Sequence, residues 1–262
     1  MELLRFLFKP TVRKLASRYV RELKETDSFV KVTFSQIPDP LFWPRQYPID
    51  GLYQVVAETF DREDWHYYQK KSTEVESQDV VVDVGAAEGL FSLTIADRCR
   101  KVIMIEPNDF FVKSLQQTFA SKTDKVEIIN VAVGSEEGEI EFAQTSLSGH
   151  INQGEGAIKK ITTIDLLLKG QPVSYLKADL EGFEIQMLKG AVETIRINRP
   201  RIAITTYHKE NNADEIISFI KSILPDYRHY VKGIFHEFGK PVMIHFWIES
   251  AEAAQSISGT EK

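Results

Sequence analysis

The sequence predicts an α/β fold built on a doubly wound, mostly parallel sheet of seven strands. Between residues 79 and 224, continuously apolar strand patterns alternate with segments of helical spacing. Strands that are apolar along their whole length are buried on both faces, and strand–helix alternation implies parallel pairing with helices on both sides. The last two strand patterns, 227–238 and 240–250, are separated by a tight turn. They predict an antiparallel hairpin that adds a reversed strand at the edge of the sheet.

Local residue patterns predict the individual strands and helices in chain order. The first strand, VVVDVG, is β-branched and ends at a glycine, as a buried strand does before a tight turn. The other strands are recognised by similar apolar runs, and the helices between them by apolar residues at helical spacing. The predicted strands are 80–85, 101–107, 126–134, 173–182, 201–208 and the two of the hairpin; the predicted helices are 88–98, 109–122, 164–170, 184–195 and 212–224.

The regions outside the sheet divide the chain into three parts. Residues 1–70 are predicted to form an N-terminal helical and aromatic extension, 71–250 the main domain, and 251–262 a disordered polar tail. The segment 54–70 has helical spacing and could cover the site opening or simply pack on the sheet. Residues 1–26 are basic with an apolar lead. They could rest on an anionic membrane surface, or form a helix that packs on the domain or on another subunit.

Composition narrows the class of protein. Of the 262 residues 43% are hydrophobic, which is enough for one sizeable core. The net charge of -6 gives no general attraction to nucleic acid, so no nucleic-acid partner is expected. The single cysteine, Cys99, excludes an internal disulfide and a cysteine-rich zinc site. Without an apolar run long enough to cross a bilayer or a secretory pattern, we expect a cytoplasmic location. The oligomeric state is left open.

The loop after the first strand indicates the kind of ligand. In a doubly wound sheet, ligands bind at the carboxyl ends of the strands. Gly85 lets the chain turn there, and Gly89 lets the next helix begin tightly against the strand. A pyrophosphate is disfavoured because the middle glycine of a dinucleotide loop is missing and Glu88 adds a negative charge. Asp83 could instead receive a cationic amino group, as in the zwitterionic end of an amino acid.

Glu106 indicates a second part of the ligand. It ends the second strand, 21 residues after Gly85, and a carboxylate there can accept hydrogen bonds from both hydroxyls of a ribose. A ribose and an amino-acid end together describe S-adenosylmethionine.

From residue 79 to residue 210 the sequence resembles the FkbM-type class I methyltransferases. The resemblance rests on an ordered set of motifs: DVGAAEGLFS, IEP, NVAVGSEEGEIEF, TTIDLLL, YLKADLEGFEIQMLKGA and RPRIAITTYH. It implies a Rossmann-like methyltransferase fold, S-adenosylmethionine as the donor, and O-methylation of a hydroxyl on a sugar, glycolipid or other small metabolite. The cofactor-binding residues that it implies are Asp83, Gly85, Ala86 and Gly89 for the methionine end, Glu106 and Pro107 for the ribose, Asn130, Val131 and Ala132 for the adenine, and Asp179.

The candidate catalytic residues are Asp179, Glu181 and His208. The stretch LKADLEGFE sets the two acids at the carboxyl end of the fourth strand, facing the crevice, and His208 ends the fifth strand. Each could take the proton of an acceptor hydroxyl, and histidine titrates near neutrality. The alternatives are helix capping for the acids and a backbone hydrogen bond for the histidine. Asp179 and Glu181 could also hold a divalent ion, but no diagnostic spacing supports one and no metal is expected.

Two other functions remain open from the sequence. An NAD-dependent oxidoreductase has a similar sheet, although it requires the missing pyrophosphate loop. A non-catalytic cofactor-binding module would use the same fold without chemistry.

Overall fold

A computed structural model of the chain describes residues 10–70, 72–142, 157–208, 213–234 and 239–249. In chain order the elements are α1 (Val12–Ala16), β1 (Val20–Glu25), β2 (Phe29–Phe34), β3 (Leu41–Pro44), α2 (Ile49–Phe60), β4 (Val80–Val84), α3 (Leu90–Ile95), β5 (Lys101–Ile105), α4 (Asp109–Thr118), β6 (Val126–Ile129), β7 (Ala132–Val133), β8 (Gly138–Phe142), β9 (Ala157–Thr162), α5 (Ile164–Leu168), β10 (Tyr175–Ala178), α6 (Glu184–Lys189), α7 (Val192–Asn198), β11 (Arg201–Thr205), α8 (Ala213–Ile223), β12 (Arg228–Lys232) and β13 (Met243–Trp247).

The central sheet has seven strands in the order β12-β13-β11-β10-β4-β5-β6. The pairs from β11 through β10, β4 and β5 to β6 are all parallel. The strand order reverses between β4 and β10, and this is the position at which doubly wound sheets bind ligands. The predicted fold class is therefore confirmed.

The reversed strand does not lie at the edge of the sheet, where it was predicted. β13 inserts between β11 and β12 and is antiparallel to both. Its first four residues are fully buried, whereas most of β12 is at least partly exposed. The more apolar strand of the hairpin therefore takes the inner position, and the more polar one forms the edge.

Both faces of the sheet are covered. All five residues of β4 are buried. Its side chains alternate between the two sides: Val81 packs in a cluster with α3, α4 and the extension, whereas Val82 and Val84 pack with the helices α5 to α8. Asp83 shares the side of Val81, so its charge points toward the extension.

The extension is only partly helical. Residues 20–44, which include the end of the basic segment 1–26, form an antiparallel three-stranded sheet instead of a helix. Val32 and Phe34 of β2 are buried, and β1 is held by its pairing with β2 although nearly all of its residues are exposed. The helix predicted over 54–70 begins earlier, at Ile49, and ends at Phe60.

Two further elements differ from their predictions. The helix predicted over 184–195 is divided into α6 and α7, which are separated by Gly190 and Ala191. The strand predicted over 126–134 is divided into β6 and β7, and β7 belongs to a small separate sheet of order β7-β9-β8.

Some predictions concern residues outside the described part of the chain: the start of the basic segment at 1–9 and the disordered tail at 251–262. Within the described ranges, none of the helices has both the length and the apolar character needed to cross a membrane.

Candidate active site

A cleft of about 480 Å³ opens at the carboxyl ends of β4, β5 and β10, beneath α2. Eight of the predicted site residues line it: Gly85, Ala86, Glu106, Pro107, Val131, Ala132, Asp179 and Glu181. Four do not line it: Asp83, Gly89, Asn130 and His208. Most of the predicted site residues therefore lie around this one cleft, at the carboxyl ends of the strands.

The two glycines of the β4–α3 loop have different roles. Gly85 has a φ of +70°, and a Cβ there would lie 1.9 Å from the carbonyl oxygen of Asp179. Only glycine therefore allows the ends of β4 and β10 to approach this closely at the cleft wall. Gly89 also has a positive φ, of +83°, but a Cβ there would lie 2.4 Å from Leu115 Cδ2. Gly89 lets α3 pack against α4 and does not contact the cleft.

Asp83 lies behind the cleft wall and has protein partners of its own. It is fully buried, and its Oδ2 accepts a hydrogen bond of 2.7 Å from the hydroxyl of Ser92. Lys177, its register partner on β10, brings Nζ to 3.0 Å from Asp83 Oδ1 and donates a 2.6 Å hydrogen bond to the Gly85 carbonyl oxygen. Burial lowers the pKa of Lys177, but Asp83 and Asp179 outweigh it and raise that pKa. Asp83 therefore does not contact the cleft itself, but it holds Lys177, which lines the cleft.

Glu106 is oriented by backbone donors. Its Oε2 accepts from the N–H of Ala87 and its Oε1 from the N–H of Asn108, both at 2.8 Å. Burial raises the pKa of Glu106 to about 7 against these two hydrogen bonds. Each oxygen keeps a second lone pair, so the carboxylate can still accept from ligand hydroxyls. Glu88, which also lines the cleft, has its pKa raised to about 7 by burial.

The three predicted catalytic residues, Asp179, Glu181 and His208, lie together in one cluster. His208 Nδ1 lies 2.9 Å from Oε1 of the fully buried Glu184, and His208 Nε2 lies 3.2 Å from Glu181 Oε2 and 3.7 Å from Asp179 Oδ1. Burial lowers the pKa of His208, but Glu181, Glu184 and Asp179 outweigh it and raise that pKa to about 11. With this pKa and no bound cation, His208 is an imidazolium at neutral pH. Both of its ring nitrogens then carry a hydrogen, so it cannot accept a further proton.

Asp179 is held in its charged form. The hydroxyl of Tyr68 donates to its Oδ2 at 2.6 Å. The hydroxyl of Thr205 lies 3.0 Å from both Asp179 Oδ1 and Glu184 Oε1, so its one hydrogen is shared between these two acceptors. Burial raises the pKa of Asp179, but His208, Lys177 and Tyr68 outweigh it and lower that pKa. This carboxylate is therefore a good hydrogen-bond acceptor and a weak base.

The extension supplies cleft residues that the sequence did not single out. Glu58 on α2 and Tyr68 both line the cleft. His66 Nδ1 lies 3.4 Å from Glu58 Oε1, and the His66 ring meets that of Tyr207 edge to face at 5.0 Å. Burial raises the pKa of Glu58, and His66 opposes this only in part. The sequence feature that could have indicated these residues is the mixture of acids and aromatics just before the first strand of the main sheet.

Asn130 lies beside the cleft and does not line it. Its side-chain amide donates to Asp109 Oδ1 at 3.1 Å, and Lys159 also pairs with that carboxylate. Val131 and Ala132, which follow it, do line the cleft.

Comparisons with known proteins bear on the family and the fold of the chain. The methyltransferase FkbM domain family matches residues 83–230, which is more than half of the chain. Among curated proteins, no significant match is found. The crystal structure of methyltransferase FkbM from Methylobacillus flagellatus KT is 20% identical, and the match covers 78% of this chain and 56% of that chain at a TM-score of 0.56. The chain thus spans little more than half the length of that protein.

Two other solved structures are more distant. An rRNA methylase from Streptococcus thermophilus is 15% identical, covering 67% of this chain and 90% of that chain at a TM-score of 0.45. A putative methyltransferase from Streptococcus mutans, in complex with SAH, is 12% identical, covering 66% and 89% at a TM-score of 0.42. On the match of the family itself over residues 83–230, the chain belongs to the FkbM methyltransferase family.

Proposed function

We propose that the protein transfers the methyl group of S-adenosylmethionine to a hydroxyl oxygen of a sugar, glycolipid or other small metabolite. The observation that carries the proposal is the single cleft that Glu106 shares with Asp179 and Glu181 across the Gly85 loop. This arrangement suits a donor that has a ribose at one end and a reacting group near two carboxylates. Membership of the FkbM family supports the same chemistry.

In the proposed complex, the donor lies along the carboxyl ends of β4 and β5. Glu106 accepts hydrogen bonds from the ribose hydroxyls, beside Pro107, and Val131 and Ala132 border the adenine. Gly85 and Ala86 face the methionine end. Asp83 and Gly89, which do not line the cleft, lie behind this surface, and Asn130 lies beside it.

The reaction is a displacement at the methyl carbon. A lone pair of the acceptor oxygen forms the new carbon–oxygen bond while the carbon–sulfur bond breaks, and its electron pair stays on sulfur to give S-adenosylhomocysteine. Alignment of the reacting atoms can contribute about 7–11 kcal/mol, whereas a general base contributes about 3–5 kcal/mol. Most of the rate enhancement is therefore assigned to positioning.

The acceptor hydroxyl must lose its proton as the bond forms. We assign its positioning to Asp179 and Glu181, which face the cleft, and the proton to Glu58, whose raised pKa makes it the better acceptor. From Glu58 the proton passes to solvent. His208 is then a positioning residue that holds the two acids.

The experiment is mass spectrometry of a panel of hydroxylated metabolites incubated with the protein and S-adenosylmethionine. We expect one acceptor class to gain one methyl group, with a rate lower by at least tenfold in Glu58→Gln and unchanged in Glu193→Gln, an exposed acid on α7. No methylated product across sugars, glycolipids and small phenols or alcohols would contradict the proposal.

The two alternatives are separable with little effort. Enhancement of NADH fluorescence on mixing would favour an oxidoreductase. Binding of S-adenosylhomocysteine without turnover on any acceptor would favour a non-catalytic binding module. A cytoplasmic location and the absence of nucleic-acid partners remain predictions. Membrane contact through residues 1–26 remains an alternative to packing on the domain or on another subunit.

A further inference from the structure

The cluster around His208 contains a buried nitrogen that faces two carboxylates. The imidazole is 7% exposed, and its Nε2 has no hydrogen-bond partner among the described residues. The nearest acidic oxygens are Glu181 Oε2 at 3.2 Å and Asp179 Oδ1 at 3.7 Å. A buried polar atom in this position requires a positive charge between it and the oxygens. That charge is either a proton or a metal ion.

Glu184 decides which nitrogen of His208 faces the cluster. Its carboxylate accepts hydrogen bonds from the N–H groups of Leu180 and Gly182, at 2.9 Å and 3.0 Å, and its Oε1 lies 2.9 Å from His208 Nδ1. Because an ionised carboxylate only accepts, Nδ1 carries a hydrogen and donates it. A carboxylate on the far nitrogen is the usual partner of a histidine that binds metal through the other nitrogen.

The two acids are oriented toward the same point. Asp179 is fixed by the hydroxyls of Tyr68 and Thr205. Glu181 has a φ of +52°, a backbone conformation that is unfavourable for a residue with a side chain, and it lines the cleft. Asp179 is therefore held by hydroxyl donors and His208 by Glu184, while Glu181 faces the same cluster with its Oε2 3.2 Å from His208 Nε2.

We propose that His208 Nε2, Asp179 and Glu181 bind one divalent first-row transition-metal ion, with its remaining positions open to the cleft. Bonds of about 2.0–2.2 Å place neighbouring ligand atoms roughly 3.0–3.6 Å apart. The separations of 3.2 Å and 3.7 Å are close to this range. One imidazole with two carboxylates suits Mn²⁺, Fe²⁺ or Zn²⁺, whereas Mg²⁺ and Ca²⁺ prefer oxygen ligands alone. Glu184 is a positioning residue of this site.

The metal site gives the acceptor a more specific mode of binding, and this part of the inference rests on the proposed function. An ion held beside the cleft would bind the acceptor oxygen directly and lower the pKa of its hydroxyl. An acceptor with two adjacent hydroxyls would fill two open positions. The binding of the ion itself depends neither on the donor nor on the acceptor.

The test is a titration of the chelator-treated full chain with Mn²⁺ alone, followed by electron paramagnetic resonance. We expect one bound ion per chain. In a pulsed experiment, the electron spin echo of the bound Mn²⁺ should be modulated by one directly coordinated nitrogen. His208→Ala should remove the nitrogen signal and weaken binding by at least tenfold, and Asp179→Asn should weaken it similarly. Glu184→Gln should weaken binding by about 10–100-fold while the nitrogen signal remains. The matched control is Glu193→Gln, which removes an exposed carboxylate on α7 that does not line the cleft, and it should bind Mn²⁺ as the unmodified protein does.

Absence of bound Mn²⁺ at millimolar concentration, binding without nitrogen coordination, or undiminished binding by His208→Ala would overturn the metal site. A calorimetric titration of each variant with S-adenosylhomocysteine shows whether its fold and donor site are intact. Failure of that titration in the unmodified chain would count against the proposed function, whereas failure of the Mn²⁺ titration alone would count only against the metal site.

Discussion

At the scale of single residues, Glu106 makes donor binding depend on pH. Burial raises the pKa of its carboxyl to about 7, so the free protein holds a proton there below neutrality. Ribose hydroxyls donate to the charged form, which lowers the pKa in the complex and releases the proton on binding. Affinity should therefore rise with pH through about 7, not fall.

Between pH 6 and pH 8 the ionised fraction of such a group rises from roughly 10% to 90%, so we expect an increase of about ninefold in the affinity for S-adenosylhomocysteine. Calorimetry at a series of pH values measures it. In Glu106→Gln this increase should be reduced, whereas Glu88→Gln reports the part that comes from the neighbouring carboxyl. The same pH dependence in the unmodified chain and in Glu106→Gln would exclude Glu106 as its source.

The pair of Asp83 and Lys177 is a second effect at this scale. Asp83 is 0% exposed and Lys177 5% exposed, so removing the ammonium leaves a buried charge without compensation. Lys177→Met should lower the free energy of unfolding by about 3–5 kcal/mol, measured by urea unfolding. The double variant with Asp83→Asn should recover part of that loss. Stability of Lys177→Met equal to that of the unmodified chain would contradict the assigned role of the pair.

At the scale of elements, the contact of β4 with β10 sets the shape of the cleft. Gly85→Ala would bring a Cβ to 1.9 Å from the Asp179 carbonyl oxygen, at a φ of +70°. The strand ends would have to separate, so donor affinity should fall by at least tenfold along with stability. Gly170→Ala is a matched control: its φ is +78°, but nothing lies within 4 Å of the new Cβ.

The control should cost only about 1 kcal/mol of backbone strain and leave donor affinity unchanged. Equal effects of the two substitutions on affinity would mean that conformational strain alone, and not the approach of β10, explains the requirement for glycine at Gly85. Calorimetry and urea unfolding of both variants separate these outcomes.

The elements also show what a single sequence can predict. β4 is identifiable because four of its five residues are valine, a β-branched residue typical of buried strands. β1 is not, because its side chains are nearly all exposed and it is a strand only through its pairing with β2. Local patterns record burial, and they do not record which distant segment completes a sheet.

The same limit applies to the site. Residues at the strand ends were predicted because topology alone brings them to one edge. The salt bridge of Lys177 with Asp83 depends on register between strands 94 residues apart. A single charge in each of two apolar strands was the signal that could have found it. Glu58 and Tyr68 line the cleft through the packing of the extension. The acids and aromatics before the first strand indicate that this segment could cover the site, but they do not show which of its side chains enter the cleft.

At the scale of the whole molecule, the extension and the sheet share one core. Trp43 of β3 is 1% exposed and packs against Tyr47 and Phe111, the latter on α4. Trp43→Ala should lower the free energy of unfolding by about 3–5 kcal/mol, measured by urea unfolding. Trp65→Ala, which removes a ring that is 37% exposed, should cost less. A negligible cost for Trp43→Ala would contradict the role of Trp43 in joining the extension to α4.

Every role proposed for the cleft residues depends on binding of the donor. The most direct measurement is a calorimetric titration of the full chain with S-adenosylhomocysteine at pH 8, compared with Glu106→Ala. We expect one site per chain in the unmodified protein and an affinity at least tenfold lower in Glu106→Ala, while Glu193→Gln binds as the unmodified protein does. No binding by the unmodified chain, or equal binding by Glu106→Ala, would contradict this expectation.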